Sequence, residues 1–155
     1  SVTAPHPLVE RIADLFLRPG HAPARQGMDV AHRARLRFEW ASDQWVLLAS
    51  KSDQFWGWMS WYRVSEEVLN LIQFEDYAAL LARGDPWADL TRGPHVYIAT
   101  AVVAPGAPRE TYRRLRELVC EANPDAQSVS AHLRKRDGRV CWKQHDPQRY
   151  RGPLH

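Results

Sequence analysis

His21, in the stretch "RPGHAPA", is a loop histidine in a segment of Gly, Pro and Ala with no period. An imidazole so placed can take a proton near neutral pH, or can simply be solvated. His95 opens an apolar run and His132 stands near the C-terminus; both read as strand polar residues. No histidine pairs with carboxylates at ligand spacing, and neither Cys120 nor Cys141 lies in a CxxC, so metal catalysis, structural zinc and a disulfide scaffold have no support. The two cysteines read as buried, reduced thiols.

A second kind of chemistry resides in "YIATAVVAPGAPRETYRRLRELV", residues 97–119: a small-residue strand, a turn and a basic amphipathic helix. A strand entering a helix through a short turn points the free helical N–H groups at whatever lies beyond the strand end, which suits a phosphate or an oxyanion. Thr100, Val103, Ala104 and Gly106 are the candidates for holding an acyl group or its oxyanion. As a phosphate cradle the turn is poor, because Pro108 has no N–H and no GxG follows.

The third feature is charge. Lysine and arginine number 21 against 18 acidic residues, a net +3, concentrated in "HLRKRDGR". Arg134, Lys135, Arg136, Arg139 and Lys143, widened by Arg109 and Arg113, form a candidate basic docking surface for an acidic carrier protein, an acidic target or nucleic acid. A charge run on a hairpin also serves solvation alone. Trp56 and Trp58 share one strand face with Trp61 on the other, which suits a core with one exposed side more than a base-stacking platform.

These groups need elements to position them. Residues 8–17 carry Leu8, Ile12, Leu15 and Phe16 at helical spacing, stopped by Pro19 and Gly20, and residues 20–31 read as loop. Three strand-like runs follow, "ARLRFEW", "QWVLLAS" and "FWGWMSWYRV", forming an antiparallel meander. Residues 65–86 read as helix, capped by Ser65 and breaking near Gln73. A buried strand spans 95–103, and Pro108 falls in the first turn of the next helix, with Tyr112, Leu115 and Leu118 or Val119 inward and a stop at Asn123 and Pro124. Two strands flank Asp137–Gly138, a hairpin signal. The succession predicts an α+β fold, a central, mostly antiparallel twisted sheet flanked by helices, in a single domain over 1–155. No run is long enough to span a membrane and the start has no secretion signal, so the expected location is cytoplasmic.

The element order resembles the GNAT acyltransferase fold, whose turn begins "VxP" as in Val103–Ala104–Pro105. With their flanks, "FWGWMSWYRVS", "TRGPHVYIATAVVAPGAP" and "AQSVSAHLRKRDGRVCWKQHD" resemble the toxin-activating lysine acyltransferases, GNAT-like enzymes that fatty-acylate RTX toxins from acyl carrier protein. The resemblance covers roughly residues 15–146. It implies that His21 is the catalytic base, that the donor is an acyl thioester carried on a protein more readily than on coenzyme A, and that the chain forms a homodimer. The family's aspartate three residues before the "AP" is Ala101 here, and neighbouring Thr100, on the other strand face, is a weak substitute. Two alternatives stand beside the enzyme: a catalytically inactive, phage-encoded or accessory docking protein on the same fold, and a nucleic-acid binder using the basic hairpin.

Overall fold

The computed structural model describes residues 6–18, 29–74, 90–135 and 137–147. Helix α1 (Pro7–Phe16) starts where the sequence places it: proline sits in the first turn, and the His6 ring accepts the Leu8 N–H through Nδ1 at 3.1 Å. Helix α2 (Asp29–Ala41) then replaces the first of the three expected strands. "ARLRFEW" was read as alternating through Leu36, Phe38 and Trp40, but the inward residues are Arg35, Leu36 and Glu39, which is helical spacing, while Phe38 is 52% exposed. The helical stripe was hidden because two of its members are charged.

Strands β1 (Trp45–Ala49) and β2 (Phe55–Val64) form an antiparallel pair, with Trp45 opposite Ser60 and Leu48 opposite Gly57. The register then shifts, passing over Trp56, so the strict alternation expected of the tryptophans is interrupted there. Helix α3 (Glu66–Phe74) is capped by Ser65, whose hydroxyl accepts the Val68 N–H at 3.2 Å. The rest of the expected helix, from residue 75 onward, lies outside the described residues. Strand β3 (His95–Val103) has the bounds the sequence indicated. Helix α4 (Thr111–Ala122) begins three residues after Pro108, whose carbonyl accepts the Thr111 N–H at 3.0 Å, so the proline precedes the helix instead of standing in its first turn. Thr111, Leu115 and Val119 are its buried stripe, and Asn123 closes it with Nδ2 on the Val119 carbonyl at 2.8 Å.

Strands β4 (Ser128–Arg134) and β5 (Val140–His145) complete a five-stranded sheet of order β1-β2-β3-β4-β5. β3 and β4 run parallel, His95 beside Ser128 through Ile98 beside Ala131, because α4 carries the chain back between them. β4 and β5 form the expected hairpin: Gly138 donates to Lys135 and Lys135 to Arg139 across the turn, at 2.9 and 2.7 Å.

The chain divides into two compact units, one of Ser1–Ser60 with Thr100–Leu115, the other of Trp61–Ala99 with Arg116–His155. The first is built on Ile12, Leu36, Phe55, Trp58 and Val102, with Trp40 and Trp45 stacked at 4.4 Å against it. The second is built on Tyr62, Val64, Leu69, Ile72 and Tyr97. Each large apolar side chain so withdrawn from water stabilises its unit by about 1.5–3 kcal/mol. Cys120 is buried as expected; Cys141 is half-buried, and neither is bonded to another cysteine.

Candidate functional site

In the first unit the charged members of the α2 stripe meet the strands. Arg35 and Glu39, one turn apart, face inward, and Glu39 has no exposed surface. Glu39 Oε1 accepts the hydroxyls of Ser60 and Thr100, each at 2.7 Å. Arg35 Nη2 donates to Thr100 Oγ1 at 3.2 Å, and its Nε lies 3.3 Å from Glu39 Oε2. The Phe16 ring covers the guanidinium, 5.2 Å from centroid to Cζ. Burial pushes the Glu39 carboxyl above its usual range, opposed by Arg35 and by the two hydroxyl bonds. A carboxylate this enclosed has no room for substrate; it ties α2 to β2 and to the strand residue that leads into the corner.

The corner follows three residues later. The Val103 carbonyl accepts from Arg18 Nη2 at 3.4 Å. Ala104 is buried and its N–H is committed to the Trp56 carbonyl at 2.7 Å, which removes one donor from the expected oxyanion set. The Ala107 N–H closes the turn on the Ala104 carbonyl at 3.1 Å. Gly106 stands exposed at φ 82°, with nothing within 4 Å of where a side chain would grow, so the turn presents bare backbone to solvent. At the helix start Thr111 is 2% exposed, and its hydroxyl has no partner among the described residues. The corner therefore offers exposed backbone and the positive end of α4, while the Thr111 hydroxyl is sealed inside the unit.

Of the other expected site residues, Arg109 and Arg113 are exposed in the first unit, and Lys135, Arg139 and Lys143 are exposed on the hairpin of the second. Arg139 Nε is already paired with Asp137 Oδ2 at 2.7 Å. Arg134 ends β4 opposite Val140. His21 and Arg136 lie outside the described residues. No group of three or more metal-ligating side chains occurs among the described residues, and no helix there is long and apolar enough to cross a membrane. Trp58 and Trp61 are buried, which takes both out of any base-stacking platform.

One constellation was not anticipated. His132 had been read as a hairpin polar residue, yet its Nδ1 is 2.9 Å from the Tyr97 hydroxyl, and its ring lies edge-on to Trp142 at 4.9 Å. Tyr97 and Trp142 stack at 6.0 Å. Burial lowers the His132 pKa, while a hydrogen bond to the Gln73 backbone raises it less. The signal was present: a turn centred on Asp137–Gly138 fixes the register that sets His132 opposite Trp142.

No protein-family model and no curated protein matches this sequence. Among solved structures, the chain is similar to the GphF GNAT-like decarboxylase in complex with isobutyryl-CoA, at 18% identity and TM-score 0.60 over 83% of this chain and 63% of that one. Chaetomium thermophilum Naa20 in complex with a bisubstrate analogue is matched at 21% identity and TM-score 0.44, over 83% of this chain and 58% of that one. The chain thus spans less than two thirds of the length of either structure. Element order, the mixed sheet and the likeness to the decarboxylase agree on one conclusion: the chain has a GNAT-like α+β fold.

Proposed function

We propose that this chain handles an acyl thioester at the β3–α4 corner and transfers the acyl group to a protein amine. The observation that carries the reading is the corner itself, where exposed backbone at Gly106 and the α4 start lie beyond a strand end. The likeness to a GNAT-like enzyme described with isobutyryl-CoA supports a thioester as the ligand class. The weak phosphate features of the turn, with Pro108 and no GxG, favour a donor delivered on an acidic carrier protein over coenzyme A. Arg109 and Arg113, exposed in the same unit as the corner, suit such a carrier. His21 remains the proposed base by resemblance.

In the reaction, the amine nitrogen attacks the thioester carbonyl, the carbon–sulfur bond breaks, and the thiol leaves on its carrier. The experiment is intact mass of an acceptor protein mixture after incubation with fatty-acylated carrier protein, with His21→Ala in parallel. Acyl mass gained by a protein and lost with His21→Ala is expected. A charged carrier that neither binds nor loses its acyl group would end this reading. A second reading, a docking protein without chemistry, is favoured by one observation: the Ala104 N–H is spent on Trp56 instead of facing a ligand.

A further inference from the structure

The outer edge of the sheet in the second unit is not used by the corner reading. Among the described residues β5 is paired on one side only, by β4, without a break from Val129 opposite His145 to Arg134 opposite Val140. No bulge or proline interrupts it. The turn fixes which backbone groups are spare. The Lys135 N–H bonds the Arg139 carbonyl at 2.7 Å, and in an antiparallel pair the bonded positions recur at every second residue. Arg139, Cys141, Lys143 and His145 therefore turn their N–H and C=O toward β4. Val140, Trp142 and Gln144 turn theirs outward, where no strand meets them among the described residues.

The two faces of that edge differ. Val140, Trp142 and Gln144 lie on the face of Tyr97, on whose ring Trp142 stacks at 6.0 Å. Val140 is 57% exposed and Trp142 half-buried, so apolar surface continues to the rim. Lys135, Arg139 and Lys143 share the opposite face and are all exposed. In the sequence, Arg134, Lys135, Arg136, Arg139 and Lys143 against Asp137 and Asp146 give residues 128–146 a net +3, which is the net charge of the entire chain. A lysine on an open edge opposes pairing with another basic strand and favours an acidic one. A second copy of this edge would bring the same positive charge against it, so charge selects the occupant.

We propose that the β5 edge binds an extended acidic segment of a partner protein as an antiparallel added strand, with apolar and acidic residues alternating along the segment. Its apolar residues stand opposite Val140, Trp142 and Gln144 and exchange backbone hydrogen bonds with them. Its acidic residues fall on the other face, beside Lys143 and Arg139. This site goes beyond the corner reading and does not depend on any acyl donor.

The probe is a capped peptide of alternating valine and glutamate, about seven residues long, added to the full chain while peptide anisotropy and amide hydrogen exchange are followed. Saturable binding is expected, with exchange slowed at Val140, Trp142 and Gln144 more than at Cys141 and Lys143. N-methylation of the valines removes the donors that face β5 and should abolish binding, whereas N-methylation of the glutamates should leave it within about threefold. Lys143→Glu, a change at an exposed side chain, should weaken binding about 3- to 10-fold. No saturable binding, binding unchanged by N-methylation of the valines, or retention of a polythymidine oligonucleotide in place of the peptide would overturn the proposal. Self-association of the chain through β5 that the peptide does not displace would overturn it as well. Acyl transfer at the corner can fail while this test succeeds, so the two readings are separable.

Discussion

Glu39 and His132 are both drawn out of water by the unit that holds them, but the two surroundings are completed differently. Around Glu39 the partners are Arg35, Ser60 and Thr100, and the carboxylate is fully enclosed. Around His132 the Tyr97 hydroxyl lies 2.9 Å from Nδ1, and the imidazole is only half-buried. A fully enclosed carboxylate held by an arginine and two hydroxyls fixes elements in place, whereas a half-buried imidazole stays in reach of solvent.

The two units also differ in how closely they pack backbone at a glycine. A side chain at Gly93 would begin 2.0 Å from the Val64 carbonyl carbon, which cannot retreat without moving β2. Gly93→Ala is expected to cost above about 4 kcal/mol and to abolish soluble yield. At Gly57 the added carbon would meet the ends of Leu115 and Thr111 at 2.9 Å, and the Val102 carbonyl oxygen at 3.2 Å. Those side chains can shift, so Gly57→Ala should lose about 1–3 kcal/mol and leave a cooperative unfolding transition. Equal losses would break the distinction.

Removing the enclosed carboxylate comes next. Glu39→Ala removes the carboxylate that pairs the buried Arg35 guanidinium and accepts two hydroxyls, and chemical denaturation should show about 3–5 kcal/mol of lost stability. A loss under about 1 kcal/mol would mean that water already reaches this network.

The two groups also titrate with opposite sign. Burial raises the Glu39 pKa above 4.5, so its contribution is complete at lower pH and declines as the pH rises through the raised value. Burial lowers the His132 pKa below 6.5, so its contribution is complete above 6.5 and is lost as the pH falls through the lowered value. Each slope is bounded by about 1.4 kcal/mol per pH unit. Unfolding followed from about pH 8.5 to about 4.5, about two units either side of 6.5, should lose the His132 share of its slope in His132→Gln. Retention of the full slope there would contradict the burial of that imidazole. The smallest expected effect is at the hairpin tip, where the exposed Arg139–Asp137 pair should matter by less than about 0.5 kcal/mol on Asp137→Asn.

Much of the fold was legible because apolar spacing encodes it. β3 was read to the residue, and α1, the Ser65 cap and the terminal hairpin followed from proline, serine and Asp137–Gly138. α2 was misread because charged Arg35 and Glu39 occupy inward positions, where a hydrophobic pattern counts them as outward. The corner was visible as strand, turn and helix, but the use of the Ala104 N–H by Trp56 depends on a strand distant in sequence. The His132 pair escaped for the same reason: its hairpin partner follows from the turn, while Tyr97 comes from β3 through a parallel pairing that local sequence does not encode.

Whether a thioester donor is held at the corner is decided by amide chemical-shift mapping. The full chain would be titrated with an acyl-pantetheine thioester, the portion common to a carrier protein and coenzyme A. Saturable shifts centred on the amides of Gly106, Arg109 and Thr111 are predicted. Saturable shifts confined to other residues, or none at all, would contradict a thioester site at the β3–α4 corner.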